Sequence, residues 1–416
     1  MDLTSDTGMT EPANILFISA TVPYPATDGG RIRVLNLVRR LCRIHKVTLL
    51  TFIASPDDEK GIVYLREIGI EVIGIRREQR KLMMALGSLL QCLIHRKPLT
   101  VAKYYSAKMA RTLKSLLTSR EFSIIHFEML HMGQYLSVLR ANSKSSCATI
   151  LGEQNIDSSI WRRLAREELN PLKKLIFYWQ HRSFRSYERR ICPRFDLCLC
   201  VSTQDQGDLE SICPGVITEL VPNGVDPNYF KSGEDVEDET RLVFTGSMDW
   251  KPNEDAVEYF CYQILDHVRG EIPEVEFYIV GSNPTKRVLE LGNIRSVTVT
   301  GWVEDVRPYI ASAAVFVVPL RIGGGTRLKI LQALAMGKSV VSTPIGCEGL
   351  DLQPDRHLLV ADWYRPFAEA TVKLMKDRAM RQRLAENGKK LVQERHDWDV
   401  VIEKLELAYR KAISGQ

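Results

Sequence analysis

Three consecutive glycines, Gly323 to Gly325, constrain this chain more than any other feature of its sequence. They follow an apolar, β-branched run, Ala314 to Val318, which predicts a buried strand. After them, leucines and alanines recur at helical spacing as far as Gly337, which is expected to end the helix. A strand, a glycine turn and a helix together predict an anion site. Glycine lets the backbone approach closely, and the first amides of a helix have no partner within it.

Two cations, Arg327 and Lys329, fall in the first turn of this predicted helix. Cations are unfavourable there, because the helix dipole favours negative charge at its N-terminus. The arrangement therefore predicts that an anion, specifically a diphosphate, compensates their charge. A plain strand-to-helix turn with two solvated cations is the alternative interpretation, since such turns are common in α/β proteins.

The rest of the chain alternates predicted strands and helices, which is typical of βαβ units and parallel sheets. Its 416 residues are enough for two domains, and a turn at Pro222 to Asp226 marks a boundary between them. One long basic helical region is predicted from Ser158 to Arg190.

Positive charge is concentrated in the first half of the chain. Residues 76–120 contain eleven Lys and Arg and one acid, and residues 160–195 contain ten Lys and Arg and three acids. The net charge of the whole chain is only +5, so the remaining residues are net negative. A basic amphipathic helix in 76–120 could make peripheral contact with an anionic membrane. A helix that covers the edge of the sheet is an equally good interpretation.

Nine cysteines are scattered without a CxxC pair, which indicates a reducing compartment. The polar, acidic start and the lack of a long uncharged run predict neither a signal peptide nor a spanning helix. We therefore expect a cytoplasmic protein, at most peripheral at the inner face of a membrane. No His, Cys or Asp cluster has ligand spacing, so no metal is expected. No RNA- or DNA-binding motif accompanies the charge, which argues against nucleic acid as a partner.

Several short motifs occur in order along the chain. They are Asp28–Arg31, Val221–Asp226, Phe244–Asn253, Gly301–Trp302, Pro319–Ala333 and Gly337–Thr343. Each is weak alone, but their order and spacing resemble those of the retaining GT-B glycosyltransferases of family 4. The resemblance spans about residues 14–410. It implies an α/β fold of two Rossmann-like domains whose parallel sheets face each other across a cleft.

The resemblance also implies a role for each part of the chain. Residues 1–13 would be a disordered N-terminus, and residues 14–215 an N-terminal domain that binds the acceptor. Residues 216–396 would form the C-terminal domain that binds the nucleotide-sugar. Residues 397–416 would be a helix that packs back on the N-terminal domain.

Roles for individual residues follow from the same resemblance. The diphosphate would lie on the glycine stretch, and Lys251 would also reach a phosphate. The base would contact the backbone of Val303, and Gly29 and Gly30 would face the donor from the N-terminal domain. The expected donor-binding residues are Gly29, Gly30, Gly246, Lys251, Val303, Gly323, Gly324, Gly325, Thr326, Gln332 and Glu348. The expected catalytic residues are Arg327, Lys329, Gln154 and Glu128. No cofactor is implied besides the nucleotide-sugar substrate.

Two positions depart from the family pattern. Gln332 stands where relatives carry a glutamate that binds the ribose hydroxyls, and losing that charge-assisted bond would cost about 1–2 kcal/mol of donor affinity. Gln154 stands where relatives carry a histidine that faces the transferred sugar, and an amide cannot exchange a proton near neutral pH. These departures bear on the efficiency of transfer and leave the predicted fold unchanged.

Two further acidic positions have competing interpretations. Glu128 follows the predicted strand Ser123 to Phe127 and is expected to contact acceptor or sugar, with a loop cap as the alternative. Asp397 and Asp399 form a DxD pattern, which holds a metal in a different transferase fold. Here the pattern precedes the last predicted helix, so N-capping is the favoured interpretation.

The predicted activity is the transfer of a sugar, a hexose by analogy, from a nucleoside-diphosphate sugar to an acceptor hydroxyl with retention. Polysaccharide, lipid-linked glycan or glycoconjugate biosynthesis is the expected setting. The alternatives are a non-catalytic scaffold of the same fold and a nucleotide-sugar epimerase. The retained cations argue against the scaffold, and the lack of clustered carboxylates argues against the epimerase. The sequence leaves open the sugar, the nucleotide, the acceptor, the linkage and the oligomeric state.

Overall fold

The computed structural model describes residues 12–77, 97–142, 147–168, 170–231, 237–323 and 325–415. The chain divides into two compact units. The first contains the described residues up to Pro222 together with those from Val401 onward, and the second contains Asn223–Val400. Each unit is built around one parallel sheet, which confirms the predicted α/β class.

The first unit has a seven-stranded sheet in the order β3-β2-β1-β4-β5-β6-β7. Its strands are β1 Asn14–Ser19, β2 Lys46–Ile53, β3 Glu71–Arg76, β4 Ile124–Glu128, β5 Ala148–Glu153, β6 Leu197–Cys200 and β7 Thr218–Leu220. Its α-helices are α1 Gly29–Leu41, α2 Pro56–Glu67, α3 Leu99–Lys103, α4 Ala107–Ser119, α5 Leu136–Asn142, α6 Asp157–Glu167, α7 Pro171–Ile191 and α8 Thr203–Ile212. The central strands are buried along almost their whole length, as expected for a sheet covered on both faces.

The second unit has a six-stranded sheet in the order β10-β9-β8-β11-β12-β13. Its strands are β8 Asp238–Thr245, β9 Glu276–Val280, β10 Val297–Gly301, β11 Ala313–Val318, β12 Ser339–Ser342 and β13 Leu359–Val360. Its α-helices are α9 Lys251–Tyr259, α10 Leu265–Glu271, α11 Lys286–Leu291, α12 Arg307–Ser312, α13 Leu328–Ala335, α14 Tyr364–Lys376 and α15 Arg378–Arg395. The last helix, α16 Trp398–Ser414, begins in the second unit and continues into the first.

The helical region predicted from Ser158 to Arg190 is confirmed, and it consists of two helices. Helix α6 ends at Glu167 and α7 begins at Pro171. Proline disfavours helical backbone in the residue before it. That residue, Asn170, instead accepts hydrogen bonds from the amides of Leu172 and Lys173 and so caps α7.

In both sheets the strand order reverses beside the first strand of the unit. Strand β1 lies between β2 and β4, and β8 lies between β9 and β11. Loops that leave the carboxyl ends of strands at such a reversal form the crevice in which open α/β sheets bind ligands. The predicted site residues follow β1, β4 and β5 in the first unit and β8, β10, β11 and β12 in the second.

Candidate active site

The predicted anion-binding stretch follows the fully buried strand β11 and leads into α13. Gly323 and Gly325 have φ angles of 123° and 78°, a region of backbone conformation that favours glycine. Helix α13 begins after Arg327, and the Arg327 side chain does not cap its first amides. Gly324 lies outside the described residues. The strand, turn and helix predicted from the sequence are therefore confirmed.

Lys329, in the first turn of α13, reaches the end of the first strand of its unit. Its Nζ donates to Asn253 Oδ1 at 2.8 Å and lies 3.9 Å from the centroid of the Phe244 ring. Burial of the ammonium lowers the pKa of Lys329 well below its ordinary value, and the nearby charge of Arg327 lowers it further. Within the described ranges, no carboxylate forms an ion pair with Lys329. A neutral amide and a ring therefore hold this cation in place.

Gly246 makes room for this lysine at the end of β8. A Cβ placed on Gly246 would lie 2.9 Å from Lys329 Nζ and 2.7 Å from Asn253 Nδ2. A Cβ on Gly281 would in turn lie 1.7 Å from the Gly246 carbonyl oxygen. Gly281 thus lets the backbones at the ends of β8 and β9 approach each other closely, and Gly246 leaves room for the lysine. Gly281 was not predicted as a site residue.

Arg327 folds against the glycine turn that precedes it. Its Nη1 donates to the Gly325 carbonyl oxygen at 2.8 Å, and a Cβ on Gly323 would lie 2.8 Å from Nη2. Thr326, between them, has a buried Oγ1 that makes no hydrogen bond within the part of the chain described here. The structure therefore brings Gly323, Gly325, Thr326 and Arg327 into one small cluster at the N-terminus of α13.

Asn253 is a site residue that the sequence reasoning missed. Its Nδ2 donates to the Ser247 carbonyl oxygen at 2.8 Å, which leaves Oδ1 to accept from Lys329. The side chain is buried in the first turn of α9. Asn253 ends one of the quoted motifs. Its role depends on its contact with Lys329, which is 76 positions away, and sequence spacing does not reveal such a contact.

Lys251, predicted to reach a phosphate, is engaged elsewhere. Its Nζ donates to Glu254 Oε2 at 2.8 Å, and its side chain is 60% exposed. Glu254 also accepts from Thr285 Oγ1 at 2.8 Å. The hydrogen bonds from Lys251 and Thr285 lower the pKa of Glu254. Lys251 thus contacts a carboxylate on its own helix, in contrast to Lys329.

Three other predicted donor residues lie at the same edge of this sheet. Val303 follows Gly301, the last residue of β10, and is half-buried against the core. Gln332 is half-buried in the second turn of α13. Glu348 is half-buried in the loop after β12, which pairs with β11. Thr343, at the start of that loop, donates its amide to the Val318 carbonyl oxygen at 3.2 Å, so the loop stays beside the end of β11.

The first unit holds a second cluster, centred on Glu128 at the end of β4. Its Oε2 lies 2.9 Å from His126 Nε2, and its Oε1 accepts from Gln154 Nε2 at 2.8 Å. Arg33 Nε lies 3.6 Å from the same Oε1. Burial raises the pKa of the Glu128 carboxyl. The hydrogen bond and charge of His126 and the charge of Arg33 outweigh burial, so the pKa lies below its usual value. Glu128 is therefore a buried carboxylate that holds Gln154.

Arg33 and Tyr409 complete this cluster, and neither was predicted. Arg33 is buried in α1 and donates to the carbonyl oxygens of Val221 and Pro222, each at 3.0 Å. The Tyr409 hydroxyl, on the last helix, lies 2.7 Å from His126 Nδ1. Burial, followed by the charge of Glu128, raises the pKa of Tyr409 well above its usual value, so its hydroxyl keeps its proton. The Tyr409 hydroxyl and the Glu128 carboxylate thus each contact one nitrogen of the His126 ring.

Gly29 and Gly30 form the start of α1 beside this network. Asp28 caps the helix, since its side chain accepts from the Arg31 amide at 3.0 Å. A Cβ on Gly30 would lie 3.1 Å from Gln154 Oε1 and 3.0 Å from Met129 Cε. The structure thus brings together Gly30, Gln154 and Glu128. The carbonyl end of the Gln154 amide faces the glycine and its amino end faces the carboxylate.

Two sequence families match most of the chain between them. Residues 27–229 match Glycosyltransferase Family 4, and residues 239–377 match Glycosyl transferases group 1. These matches agree with two parallel-sheet units whose site residues follow the carboxyl ends of their strands. The chain belongs to the GT-B glycosyltransferases.

Solved structures similar to this glycosyltransferase share its fold. Sucrose-phosphate synthase from Thermosynechococcus elongatus has a TM-score of 0.72 at 17% identity, over 98% of this chain and 100% of that one. Anabaena HepE in complex with UDP-glucose has a TM-score of 0.66 at 13% identity, over 97% and 100%. WaaG, a glycosyltransferase involved in lipopolysaccharide biosynthesis, has a TM-score of 0.63 at 15% identity, over 97% and 100%.

A curated relative of the glycosyltransferase is an uncharacterized 44.6 kDa protein in the cps region of Klebsiella pneumoniae. The two sequences are 23% identical over 397 residues, which is 92% of this chain and 97% of the relative. The relative therefore matches along nearly the whole length of both proteins.

The DxD pattern of this glycosyltransferase caps a helix, as predicted. Asp397 Oδ1 accepts from the Asp399 amide at 3.0 Å where α16 begins. In the described part of the chain, no group of three or more His, Cys, Asp and Glu side chains is arranged to bind a metal ion. None of the described helices combines the length and apolar character needed to cross a membrane.

Proposed function

We propose that the protein transfers a sugar from a nucleoside-diphosphate sugar to an acceptor hydroxyl, with retention of anomeric configuration. One observation carries the proposal. The ammonium of the half-buried Lys329 lies against the Gly246 backbone, is desolvated, and is held by Asn253 with no carboxylate partner among the described residues. A desolvated cation without a counter-charge is unfavourable, so an anionic ligand at this position would be bound strongly.

The donor class follows from the shape of this cluster. Lys329 and Arg327 lie beside the uncapped N-terminus of α13, where backbone amides and cations together favour a diphosphate. We infer that Gln332, half-buried one turn further along, accepts from ribose hydroxyls. A related fold has been solved with UDP-glucose, which supports a nucleotide-sugar as the ligand class.

The proposed chemistry needs little proton transfer from the protein. The bond between the anomeric carbon and the phosphate oxygen breaks, and a bond from the acceptor oxygen forms on the same face. The departing phosphate oxygen takes the acceptor proton. Lys329 and Arg327 then stabilise the negative charge that grows on the diphosphate. No metal or other cofactor is required by this mechanism.

Within the first unit, we infer that Gln154 contacts the sugar or acceptor and that Glu128 positions Gln154. The Glu128 carboxylate already accepts from Gln154 and contacts His126 and Arg33, and its pKa is lowered, which makes it a weak base. Gln154 can offer a hydroxyl only hydrogen bonds, because its amide does not titrate. Positioning of the substrates is therefore its expected contribution.

For the biological setting, we propose synthesis of a polysaccharide, lipid-linked glycan or other glycoconjugate in the cytoplasm. The relative in a cps region and the resemblance to a lipopolysaccharide enzyme support this setting. Peripheral membrane contact through residues 76–120 stays a prediction, because residues 78–96 lie outside the described ranges.

Calorimetry with UDP, GDP, ADP and dTDP and their sugars tests the proposal. We expect one nucleotide to bind, and Lys329→Met to weaken it about 10- to 100-fold, the usual range for a charge-assisted hydrogen bond. Lys286→Met is the matched control, because the Lys286 side chain is 92% exposed on α11. Binding by none of the nucleotides would overturn the proposal. Binding without hydrolysis or transfer of any sugar would favour the scaffold interpretation.

The stereochemical part of the proposal has its own readout. Proton NMR of the first product formed distinguishes an α from a β linkage, and retention predicts the same anomer as in the donor. Formation of the opposite anomer would reject retention while leaving the transferase assignment intact.

A further inference from the structure

The most conspicuous surface feature away from the candidate active site is an apolar stripe on helix α7. Its first nine residues include five exposed large hydrophobic side chains. Their exposed fractions range from 46% for Trp179 to 73% for Leu172. Four of them, Leu172, Leu175, Ile176 and Trp179, recur at i, i+3, i+4 and i+7, so they share one face of the helix. We call these four residues the α7 stripe.

The second half of the same helix is anchored in the first unit. Phe184, Tyr187 and Ile191 are buried in its core. Nearer the stripe, the Phe177 ring contacts Trp161 of α6 with their centroids 5.5 Å apart. The helix is thus fixed at one end and presents large apolar side chains to solvent at the other. An exposed apolar surface of this kind is unfavourable in water and marks an interaction site.

The charged side chains of α7 itself, from Pro171 to Tyr187, are all positive. No acidic residue occurs between Pro171 and Tyr187, whereas four cations do: Lys173, Lys174, Arg182 and Arg185. The first carboxylate of the helix, Glu188, is buried and accepts from the Ser158 amide at 2.9 Å. Exposed Arg162 and Arg166 on α6 add to the positive charge.

We propose that the α7 stripe docks the protein onto an anionic lipid bilayer. A helix with an apolar face and flanking cations lies in the plane of the interface, with its apolar side chains below the headgroups and its cations against them. Trp179 and Tyr178 suit this location, because aromatic side chains with a polar edge favour the headgroup region. A second copy of the chain is a poorer occupant, since pairing two stripes would bring like charges together.

This inference concerns a surface of the first unit and does not depend on the proposed function. Flotation of the full-length chain with vesicles tests it. We expect binding to phosphatidylcholine vesicles that contain phosphatidylglycerol, no binding to pure phosphatidylcholine, and a loss of binding as salt increases. Equal binding to the two kinds of vesicle, or no binding to either, would overturn the proposal.

Two sets of substitutions distinguish binding through the α7 stripe from binding through the overall charge of the protein. The triple variant Leu172→Gln, Leu175→Gln, Ile176→Gln retains helix-forming residues and should weaken vesicle binding about 10- to 100-fold. Its matched control is Ile44→Gln, Val63→Gln, Leu289→Gln, at three positions that are 49%, 55% and 54% exposed. The control should bind like the wild type. If both triple variants bind equally well, the stripe is not the docking surface.

The contribution of charge is tested by Lys173→Gln with Lys174→Gln. Removing two lysines near an anionic surface should weaken binding about 30-fold. Lys286→Gln with Lys390→Gln removes the same charge from side chains that are 92% and 75% exposed in the second unit, and should have little effect. An equal loss in both double variants would show that only net charge matters, and would overturn the assignment to α7.

A spectroscopic readout locates the contact on the helix. Lipids brominated near the headgroup should quench the fluorescence of Trp179 when vesicles bind, and Trp179→Phe should lose that part of the quenching. Unchanged quenching in Trp179→Phe would reject contact at the stripe. Sedimentation of the wild type and the glutamine triple variant without lipid tests self-association, and a dimer abolished by the triple substitution would assign the stripe to a second copy instead.

Discussion

At the scale of single residues, the candidate site depends on how buried charges are balanced. Glu128 is surrounded by His126, Arg33 and Gln154, which together keep its pKa low despite burial. Lys329 has the opposite situation, because burial and Arg327 both disfavour its charged form. The charge of Glu128 is stabilised by neighbours within its own unit, whereas the charge of Lys329 would be stabilised by a bound anion. The pKa of each group is lowered in the folded protein, but only that of Lys329 should rise when an anion binds.

Binding of a nucleoside diphosphate should be coupled to proton uptake. The folded protein holds the pKa of Lys329 well below its ordinary 10.5, and a bound diphosphate would favour the ammonium and raise that pKa. Between these two pKa values, the complex therefore binds more protons than the free protein. Calorimetry in buffers of different ionisation enthalpy measures this uptake. Lys329→Arg, whose side chain stays charged, should abolish it, and uptake that persists in this variant would refute the coupling.

Glu128→Gln should lower the free energy of unfolding by about 2–4 kcal/mol near neutral pH, because it leaves Arg33 beside a neutral amide. The folded-state pKa of Glu128 is below its usual 4.5, so its charge stabilises the fold above that pH, and the contribution is lost as pH falls through the lowered value. The difference between variant and wild type should therefore shrink in acid. Denaturant titrations at several pH values measure it, and a difference that stays constant below pH 4.5 would contradict this account.

At the scale of elements, helix α13, which follows Arg327 and carries Lys329, is defined at its C-terminal end by local backbone chemistry. Gly337 has a φ of 64°, its amide donates to the Leu334 carbonyl oxygen, and the Lys338 amide donates to that of Ala333. This pair of bonds is the Schellman motif, in which glycine avoids the cost of the left-handed conformation. The same helix starts without a side-chain cap. Its stability therefore depends on its buried face and on Gly337, which leaves its N-terminus available for a ligand.

Gly337→Ala should destabilise the second unit by about 1 kcal/mol, because alanine is strained in the left-handed region. Gly270→Ala is a control with the opposite expected sign. Gly270 lies within α10, and a Cβ there meets no atom within 4 Å. Alanine is the better helix former by about 0.5–1 kcal/mol, so this change should stabilise the protein. Thermal or denaturant unfolding measures both, and equal effects of the two substitutions would count against the cap.

At the scale of the whole molecule, the chain leaves the first unit after Pro222 and returns to it at Val401. The returning part of α16 contributes buried side chains to that unit, including Leu405 and Tyr409. It also places Glu406 Oε1 2.7 Å from His45 Nε2. The first unit is therefore completed by residues that follow the whole of the second unit in the chain.

A protein that ends at Val400 should keep its second unit folded and lose much of the stability of its first. The truncation removes Tyr409 from His126 and exposes the apolar surface that α16 covers. Hydrogen exchange followed by mass spectrometry should show loss of protection in β1, β2 and β4, with β8 to β12 unchanged. Lys411→Gln, which breaks only an exposed ion pair with Glu219, serves as the control. Protection of β1 equal to that of the full-length chain would refute the prediction.

Much of the fold was predictable from local patterns along the chain. Buried strands such as Ala313–Val318, the glycine turn and the helix end at Gly337 all depend on the preferences of neighbouring residues. The basic helical region divides at Asn170 for a local reason as well, since Pro171 opens the second helix. The exposure of the α7 stripe was not predictable. Periodicity predicts that a helix has an apolar face, but it does not predict whether other parts of the protein cover that face.

The sequence by itself determined the two α/β units and the position of the two cations at the start of a helix, because backbone preferences act over a few residues. Only the tertiary structure decided which partners those residues meet. Lys329 contacts Asn253, 76 residues away in the sequence, because of the order of strands in a sheet. His126 contacts Tyr409, 283 residues away, because the last helix returns to the first unit. Such contacts depend on which strand ends lie side by side, and spacing along the chain carries no information about that.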